Sequence, residues 1–323
     1  MINSTSVHRI NNDLGLSRFE KICWWIINWL NNNILPNRID SSLKVRNFIF
    51  ENLAKNWNNP QLFIDSSPAR KLCDLFLLYF PWTKIDRSFS GINILDTGCG
   101  EGNYFSRINY HTGNIINSYV GFDIEKKENW QSIMINNDNV KFYQLDNFNF
   151  NFDIPKNINL FLSISAIEHF SDDLIYFKKI YKHIHNTENQ VIQIHLFPSR
   201  ASLSLQGLHG VRQYNQRTVS RITRLFNNNS YSVLFNLGGK NCNKIHKKFI
   251  TKPISGLFYR IQRKLIDFRL INKKKIYDMR DIYPKQYDKD LFKAIELDQK
   301  CDQNTDPTYY ALFIHSNYKE NIF

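Results

Sequence analysis

Short apolar runs that end in a polar residue alternate with helix-like patterns through the middle of the chain. Runs of this length, rich in branched and aromatic side chains, predict strands buried in a parallel sheet. Seven such runs occur, at Ile92–Leu95, Tyr119–Ile124, Val140–Asp146, Ile158–Phe170, Val191–Phe197, Tyr231–Leu237 and Thr308–Ser316. The pattern predicts an α/β fold with a doubly wound, mostly parallel seven-stranded sheet.

Helical spacing dominates the chain before the first of these strands. Apolar residues from Leu43 to Trp57 recur every three or four positions and predict a helix that ends before Pro60. Ser67-Pro68 opens a second predicted helix, which Pro81 stops. The run Ile22–Leu30 is too short to span a bilayer, which takes about 20 residues. We expect it to form a helix that packs on the core, in preference to one that lies on a membrane surface.

These patterns divide the chain into four parts. Residues 1–88 form an N-terminal helical cap and 89–239 the core, residues 240–306 form a basic helical insertion, and 307–323 contain the last strand with a C-terminal tail. In open α/β sheets, ligands bind at the carboxyl ends of the strands, so the polar residues there are the candidates for a site.

The first strand leads into a glycine-rich turn, DTGCGEG, that precedes a helical pattern. Gly98, Gly100 and Gly102 give the backbone the freedom to turn sharply beneath a ligand. Strand, glycine turn and helix together form the nucleotide-binding arrangement, in which backbone N–H groups face the ligand. Further polar residues close the next strands: Asp123 the second, Asp146 the third, and Ser165, Glu168 and His169 the fourth.

This set of residues resembles the class I S-adenosylmethionine-dependent methyltransferases, of the type 11/12-like kind, whose first motif is an acid followed by GxGxG. The resemblance covers about residues 91–239 and the last strand. It implies that Asp96 and the turn residues Gly98, Cys99, Gly100 and Gly102 hold the methionine part of S-adenosylmethionine. It also implies that Asp123 with Ile124 holds the ribose and that Asp146 or Asn147 reads the adenine. The segment SAIEHF, which begins at Ser165, resembles the fourth motif and would line the site beside the sulfonium.

A nicotinamide-binding fold competes for the same residues, because an acid also follows its glycine turn by about 20 residues. Its fingerprint is GxGxxG, whereas Asn103 stands here where the third glycine would be needed. Glu101 within the turn would lie beside a pyrophosphate dianion, while a sulfonium cation tolerates nearby acids. The sequence therefore favours the methyltransferase.

Methyl transfer to a hydroxyl needs a base, and histidine titrates near neutrality. His169 and His209 are the candidate bases, and Glu168 could orient or replace His169. Arg212 and Tyr214, in the loop after the fifth strand, are the candidate ligands of an acidic or polyhydroxyl acceptor. SAIEHF-like segments also occur without a base, so a purely structural role for these residues stays open.

Two motifs of nucleobase methyltransferases are absent from the sequence, which narrows the class of acceptor. The fourth motif contains no proline, unlike the Asn/Asp-Pro-Pro-aromatic motif of adenine N-methylation, and no Pro-Cys pair is present for cytosine C5 methylation. The prediction is O- or N-methylation of a small molecule, and in particular of a sugar or glycan intermediate. A degenerate, noncatalytic binding module and an RNA methyltransferase remain alternatives.

The net charge of +13 over 323 residues is concentrated in one segment. Residues 240–275 carry twelve Lys and Arg against the single acid Asp267, and residues 254–268 have the spacing of a basic amphipathic helix. Such a helix can lie on an anionic membrane or follow a nucleic-acid backbone. A solvated, core-packed helix is equally compatible with the pattern, and of the two partners the membrane is favoured over nucleic acid.

The five cysteines are scattered, which fits a reducing compartment and predicts no metal site. Without a signal-peptide core near the N-terminus, we expect a cytoplasmic protein that is peripheral to the membrane where residues 240–275 engage lipid.

Overall fold

The computed structural model describes residues 3–8, 15–34, 38–62, 66–89, 91–146, 152–209, 211–252, 279–301 and 306–323; for His209 and Asp281 it describes the backbone alone. Within these residues the chain forms one sheet with helices on both faces. The fold class expected from the pattern of apolar runs is confirmed.

Eight strands of the described chain form this sheet, in the order β1-β7-β8-β6-β5-β2-β3-β4. β8 pairs antiparallel with both β6 and β7, and the other pairings are parallel. The chain order reverses between β2 and β5, so β2 lies at the switch point where ligands of such sheets bind. The strands are β1 (Lys44–Asn47), β2 (Ile92–Thr97), β3 (Ile116–Asp123), β4 (Val140–Gln144), β5 (Leu160–Ile164), β6 (Val191–Pro198), β7 (Ser230–Leu237) and β8 (Tyr309–Ser316).

The helices lie between the strands and before β1. They are α1 (Arg18–Asn33), α2 (Leu53–Asn56), α3 (Pro68–Tyr79), α4 (Trp82–Ser88), α5 (Asn103–Thr112), α6 (Asn129–Asn136), α7 (Asp173–Thr187), α8 (Ser202–Gln206), α9 (Gln216–Thr223), α10 (Lys240–His246), α11 (Met279–Ile282) and α12 (Pro284–Lys300). Short 3₁₀ turns span Ile167–His169, Gly207–His209 and Arg224–Phe226, and a π turn spans Lys247–Thr251.

Each face of the sheet has its own hydrophobic cluster. Alternate strand residues such as Ile94 and Leu162 point to the face covered by α3, α5 and α12. Their neighbours, Leu95 and Phe161 among them, point to the face covered by α7 and α9. Because successive side chains of a strand face opposite sides, continuous apolar runs are what a sheet covered on both faces requires.

One predicted helix is wrong. The segment from Leu43 to Trp57 forms the edge strand β1, a turn, and the four-residue helix α2. β1 pairs with β7 through Val45 and Leu234, which adds an eighth strand to the predicted seven. Its residues alternate between exposed and half-buried over only four positions, too few to distinguish a strand from a helix by periodicity.

The helix predicted around Ile22–Leu30 is confirmed as α1, but its expected orientation is wrong. Ser17 and Glu20 form a capping box at its start. The buried side chains of α1 are Trp24 and three asparagines, Asn28, Asn31 and Asn32, whereas Ile22, Ile26, Trp29 and Leu30 of the apolar run are exposed.

The basic amphipathic helix expected at residues 254–268 lies outside the described residues. The described start of that insertion, residues 240–252, is helical and contains five lysines and no acid. None of the described helices is both long and apolar enough to cross a membrane.

Candidate active site

The glycine turn after β2 is held by backbone hydrogen bonds to the neighbouring strand. The N–H groups of Gly98 and Cys99 donate to the carbonyl of Phe122, at 2.7 and 3.0 Å. Gly98 has φ of +77°, and a Cβ there would lie 2.3 Å from the Cβ of Ala166. A side chain at this position would therefore push the turn away from the segment that follows β5.

Asp123 at the end of β3 is bonded to the same turn. Its Oδ2 accepts from the N–H of Gly100 at 2.8 Å, and its Oδ1 accepts from the N–H of Glu125 at 3.2 Å. Trp130 donates its indole N–H to the carbonyl of Gly100 at 2.8 Å. The turn and the carboxylate are thus held in one geometry before any ligand arrives, and each carboxylate oxygen retains a second lone pair.

A cavity of about 850 Å³ opens over this turn. That volume lies within the range of small-molecule sites, about 300–1,000 Å³. Its lining comes from the turn, the end of β3, the segment after β5, and α3; it includes the predicted residues Gly98, Cys99, Gly100, Asp123, Ile124, Ser165 and His169.

The charges around the cavity are mixed. Glu101, Asp123 and Glu125 contribute carboxylates, and Arg70 of α3 contributes a guanidinium. Arg70 donates to the hydroxyl of Tyr104 at 2.7 Å, which fixes the guanidinium beside the start of α5. A ligand with separate positive and negative groups complements such a lining.

Asp96, the acid of the first motif, lies beneath the turn and not in the cavity wall. Its side chain is 1% exposed and accepts a hydrogen bond of 2.5 Å from the hydroxyl of Tyr119. Burial raises the pKa of Asp96 to about 7, against the hydrogen bond from Tyr119, which lowers it. The residue supports the turn from below, and its side chain makes no part of the cavity wall.

The remaining cofactor candidates differ in position. Gly102 begins α5 and packs against Phe142, where a Cβ would lie 2.6 Å from that ring. Asp146 is exposed and is absent from the described cavity wall, and Asn147 lies outside the described residues.

The segment after β5 carries a chain of buried polar groups. Ser165 has φ of +53°, and its hydroxyl lies 2.5 Å from that of Tyr309. Tyr309 in turn donates to Oε1 of Glu168 at 3.2 Å. Glu168 is 2% exposed; burial raises its pKa to about 7, and the adjacent His169 and the bond from Tyr309 lower it less than burial raises it.

The two candidate bases, His169 and His209, differ in their position relative to the cavity. His169 is half-buried and lines the cavity at the end of the Ile167–His169 turn. The backbone of His209 ends the Gly207–His209 turn, which packs against α1, and its side chain lies outside the described part of the chain.

Arg212 and Tyr214, the predicted acceptor ligands, are buried in a different network. The guanidinium of Arg212 lies 3.0 Å from Oδ2 of Asp173 and donates to the carbonyl of Ser171 at 2.9 Å. Tyr214 is fully buried, and its hydroxyl contacts Oδ2 of Asp173 and the carbonyl of Ile167. These side chains fix the loop to the start of α7, and neither lines the cavity.

Several residues of this site were not predicted from the sequence, among them Arg70, Glu125, Ser171 and Tyr309. Arg70 and Tyr309 lie on elements that are far from the glycine turn in the chain, and only the fold brings them to it. A single sequence gives no signal for either, since a basic residue in a predicted helix and a tyrosine at the start of a strand are both common.

No family model and no curated protein matches the chain. Solved structures do. The plantazolicin methyltransferase BamL, in complex with a triazolic desmethylPZN analog and SAH, is 13% identical, over 76% of this chain and 85% of that chain, with a TM-score of 0.41. Coclaurine N-methyltransferase bound to N-methylheliamine and SAH is 11% identical, over 93% and 89%, with a TM-score of 0.43.

A third similar structure, the StiE O-methyltransferase (O-MT), is 13% identical over 76% of this chain and 72% of that chain, with a TM-score of 0.40. Similarities this low carry no argument about what this chain binds or does.

Replacing Arg212 tests whether it holds the fold or the acceptor. Arg212→Ala leaves the buried carboxylate of Asp173 without its cation, so we expect the free energy of unfolding to fall by about 3–5 kcal/mol. Urea unfolding followed by circular dichroism measures this. The control is Arg217→Ala, a half-buried arginine at the start of α9, which should cost much less. Unchanged stability in Arg212→Ala, with only the KM for an acceptor raised, would restore the predicted binding role.

Glu168 should make stability fall as the pH rises. Its folded-state pKa is about 7, above its ordinary value of 4.5. The folded state therefore holds the proton more tightly, and this stabilisation is full below about pH 4.5 and lost as the pH passes 7. Glu168→Gln removes this effect, so the fall in the free energy of unfolding from pH 5 to pH 8 should be smaller in the variant by on the order of 2 kcal/mol, and the fall in Tm should be correspondingly shallower. Glu320→Gln, at an exposed carboxyl, is the control; a parent-like decline in Glu168→Gln would exclude Glu168 as the cause.

Proposed function

We propose that this chain is a methyltransferase that uses S-adenosylmethionine to methylate a hydroxyl or amine of a small molecule. The observation that carries the proposal is the glycine turn locked to Asp123 at the floor of a cavity with mixed charge. This arrangement lies at the carboxyl ends of β2 and β3, beside the point where the strand order reverses.

The charges of the cofactor match those of the cavity. S-adenosylmethionine carries a sulfonium and an ammonium, which suit the carboxylates of Glu101, Asp123 and Glu125. Its single carboxylate suits Arg70, whose planar guanidinium can make two parallel hydrogen bonds to it. A dinucleotide would instead place a pyrophosphate dianion among the three acids, which favours the sulfonium ligand.

Asp123 is placed to bind the ribose of S-adenosylmethionine. One carboxylate can accept from both ribose hydroxyls, and the bonds from Gly100 and Glu125 orient this one toward the cavity. Ile124 follows directly, is 43% exposed, and offers an apolar surface next to the ribose site for the adenine ring.

Transfer requires the acceptor atom to approach the methyl carbon in line with the carbon–sulfur bond. As the new O–C or N–C bond forms, the C–S bond breaks, its electron pair stays on sulfur, and S-adenosylhomocysteine leaves. The acceptor proton has to go to a base, and His169 is the titratable imidazole of the described cavity wall. The buried Glu168 interacts electrostatically with His169, and in its ionised form it favours the imidazolium that results.

The acceptor we propose is a sugar or glycan intermediate. Ser165, Ser171 and His169 line the cavity, and their hydroxyl and imidazole groups suit a polyhydroxyl molecule. Arg212 and Tyr214 do not support this acceptor, because their polar groups bond to Asp173 and to the backbone of Ile167 and Ser171. Lipid contact through residues 240–275 stays a proposal, supported by the five lysines of 240–252.

Titration of S-adenosylhomocysteine tests the cofactor. Asp123→Ala removes the ribose acceptor, so binding measured by calorimetry should weaken by about 1–3 kcal/mol, or roughly 5- to 150-fold. Asp146→Ala is the matched control; an acid outside the described cavity wall should change affinity little. An equal loss in Asp146→Ala would support its predicted adenine contact, and no binding by the folded parent would overturn the methyltransferase proposal.

A second ligand distinguishes contacts to the nucleoside from contacts to the amino-acid part of the cofactor. 5′-Methylthioadenosine has the ribose and adenine but lacks the amino-acid carboxylate and ammonium. Asp123→Ala should weaken both ligands, whereas Arg70→Gln should weaken S-adenosylhomocysteine alone. Equal losses for both ligands in Arg70→Gln would contradict the assignment of Arg70 to the carboxylate.

His169 is tested by turnover. With a panel of sugars, glycan intermediates and amines as acceptors, release of S-adenosylhomocysteine should fall about 10²- to 10⁴-fold in His169→Ala while affinity for the cofactor product is retained. His209→Ala, assayed in parallel, decides between the two predicted bases. Cofactor binding without turnover on any acceptor would favour the noncatalytic binding module.

A further inference from the structure

α1 presents its apolar side to solvent and its polar side to the protein. Its buried positions are Trp24, Asn28, Asn31 and Asn32, which share one face at helical spacing. On the opposite face lie large apolar side chains with the following exposed fractions: Phe19 73%, Ile22 43%, Ile26 47%, Trp29 43% and Leu30 37%. We call these five residues the α1 stripe.

Polar contacts fix this orientation. Asn31 accepts from the N–H of Val7 at 3.2 Å. Asn32 donates to the side chain of Gln213 at 3.1 Å, and its carbonyl accepts from Asn215 at 3.1 Å. Rotating α1 to bury the stripe would break these bonds and leave the buried amides of Gln213 and Asn215 without them, which is costly for buried polar groups. The outward orientation of the stripe is therefore the one that the fold stabilises.

The stripe has the form of a helix that lies in a membrane interface. α1 is 16 residues long, about 24 Å at 1.5 Å per residue, and carries isoleucine, leucine, phenylalanine and tryptophan along one side. Tryptophan suits the boundary between headgroups and acyl chains, because its ring is apolar and its N–H is polar. Contiguous exposed apolar surface of this kind marks an interaction site.

Cations border the stripe. Arg18 and Lys21 lie in the first turn of α1, with Glu20 as the acid between them, and the exposed Arg38 follows the helix in the chain. Behind α1, α8 packs against both this helix and the π turn of the basic segment, where Thr251 donates to the carbonyl of Leu205 at 2.7 Å. The basic segment 247–252 is thus connected to α1 through α8.

This charge selects an anionic lipid surface over another protein. A stable protein interface uses about 20–30 residues on each side, whereas the stripe is a single row of five. A bilayer needs only a row of apolar side chains that can enter between headgroups, and anionic headgroups attract the cations beside it.

We propose that α1 binds anionic membranes by inserting the stripe Phe19, Ile22, Ile26, Trp29 and Leu30 into the interface. The proposal does not depend on the methyl-transfer activity. Because α1 packs against the Gly207–His209 turn of the loop after β6, binding through the stripe would hold that loop at the lipid surface.

Vesicle binding by the full chain tests the proposal. The vesicles contain phosphatidylcholine and phosphatidylglycerol in a ratio of about two to one, with pure phosphatidylcholine vesicles for comparison. We expect the parent to sediment with the anionic vesicles, and the variant Ile22→Gln/Ile26→Gln/Trp29→Gln to bind at least about tenfold more weakly. The docked face of α1 is untouched in this variant, so its thermal unfolding should match that of the parent.

The matched control replaces exposed apolar residues of other helices, Ile135→Gln on α6 and Leu297→Gln on α12, and should bind like the parent. Quenching of parent tryptophan fluorescence by lipids brominated on the acyl chains adds a measurement that needs no triple variant, and Trp29→Phe should remove part of it. No binding of the parent to anionic vesicles, or equal binding by the triple variant, would overturn the proposal. So would a parent dimer that the triple variant converts to monomer, since a second copy would then cover the stripe.

Discussion

The buried carboxylate of Asp173 holds together three segments that are distant in the chain. It is fully buried at the start of α7 and accepts from the N–H and hydroxyl of Thr5, at 2.7 and 2.5 Å. The guanidinium of Arg212 and the hydroxyl of Tyr214 complete its surroundings. A carboxylate without water is tolerated only when its charge is compensated in this way, so the N-terminal segment and the loop after β6 are both fixed by it.

That network extends to the candidate active site through one further bond. The hydroxyl of Tyr214 also contacts the carbonyl of Ile167, in the 3₁₀ turn that carries Glu168 and His169. On its other side, the same segment touches the glycine turn, where Ala166 leaves no space for a Cβ on Gly98. The proposed base and the proposed cofactor turn are therefore held at a fixed separation, which in-line transfer requires.

Sequence patterns predicted the fold well where the chain is regular. The seven runs of the predicted sheet are strands because a sheet covered on both faces needs continuous apolar segments, and the pattern records that directly. The edge strand β1 was missed because four residues with one half-buried face carry little periodic signal. The orientation of α1 was missed because the apolar run has the same composition whether it faces the core or solvent.

The site was predictable only where its residues adjoin the motif. Asp123 and the glycine turn follow from local order along the chain, whereas the burial of Arg212 and Tyr214 depends on Asp173 and Thr5, which no spacing rule connects to them. Arg70 and Tyr309 reach the site from α3 and β8, neither of which adjoins the glycine turn in the chain order. Their placement is a property of the packed sheet and helices.

The electrostatics of the molecule separate selection of the cofactor from attraction to a surface. The chain carries a net charge of +13, yet three of the four charged side chains at the cavity are acids. Ionic screening limits the reach of exposed charges to about 8–10 Å, so the local acids, and not the distant lysines, set the charge preference of the cavity, which suits the proposed sulfonium cofactor. The lysines of 240–252 lie outside the described cavity wall, and the membrane surface proposed for α1 is the anionic partner that such exposed cations attract. A single chain can thus favour a cation inside its cavity and an anionic surface outside it.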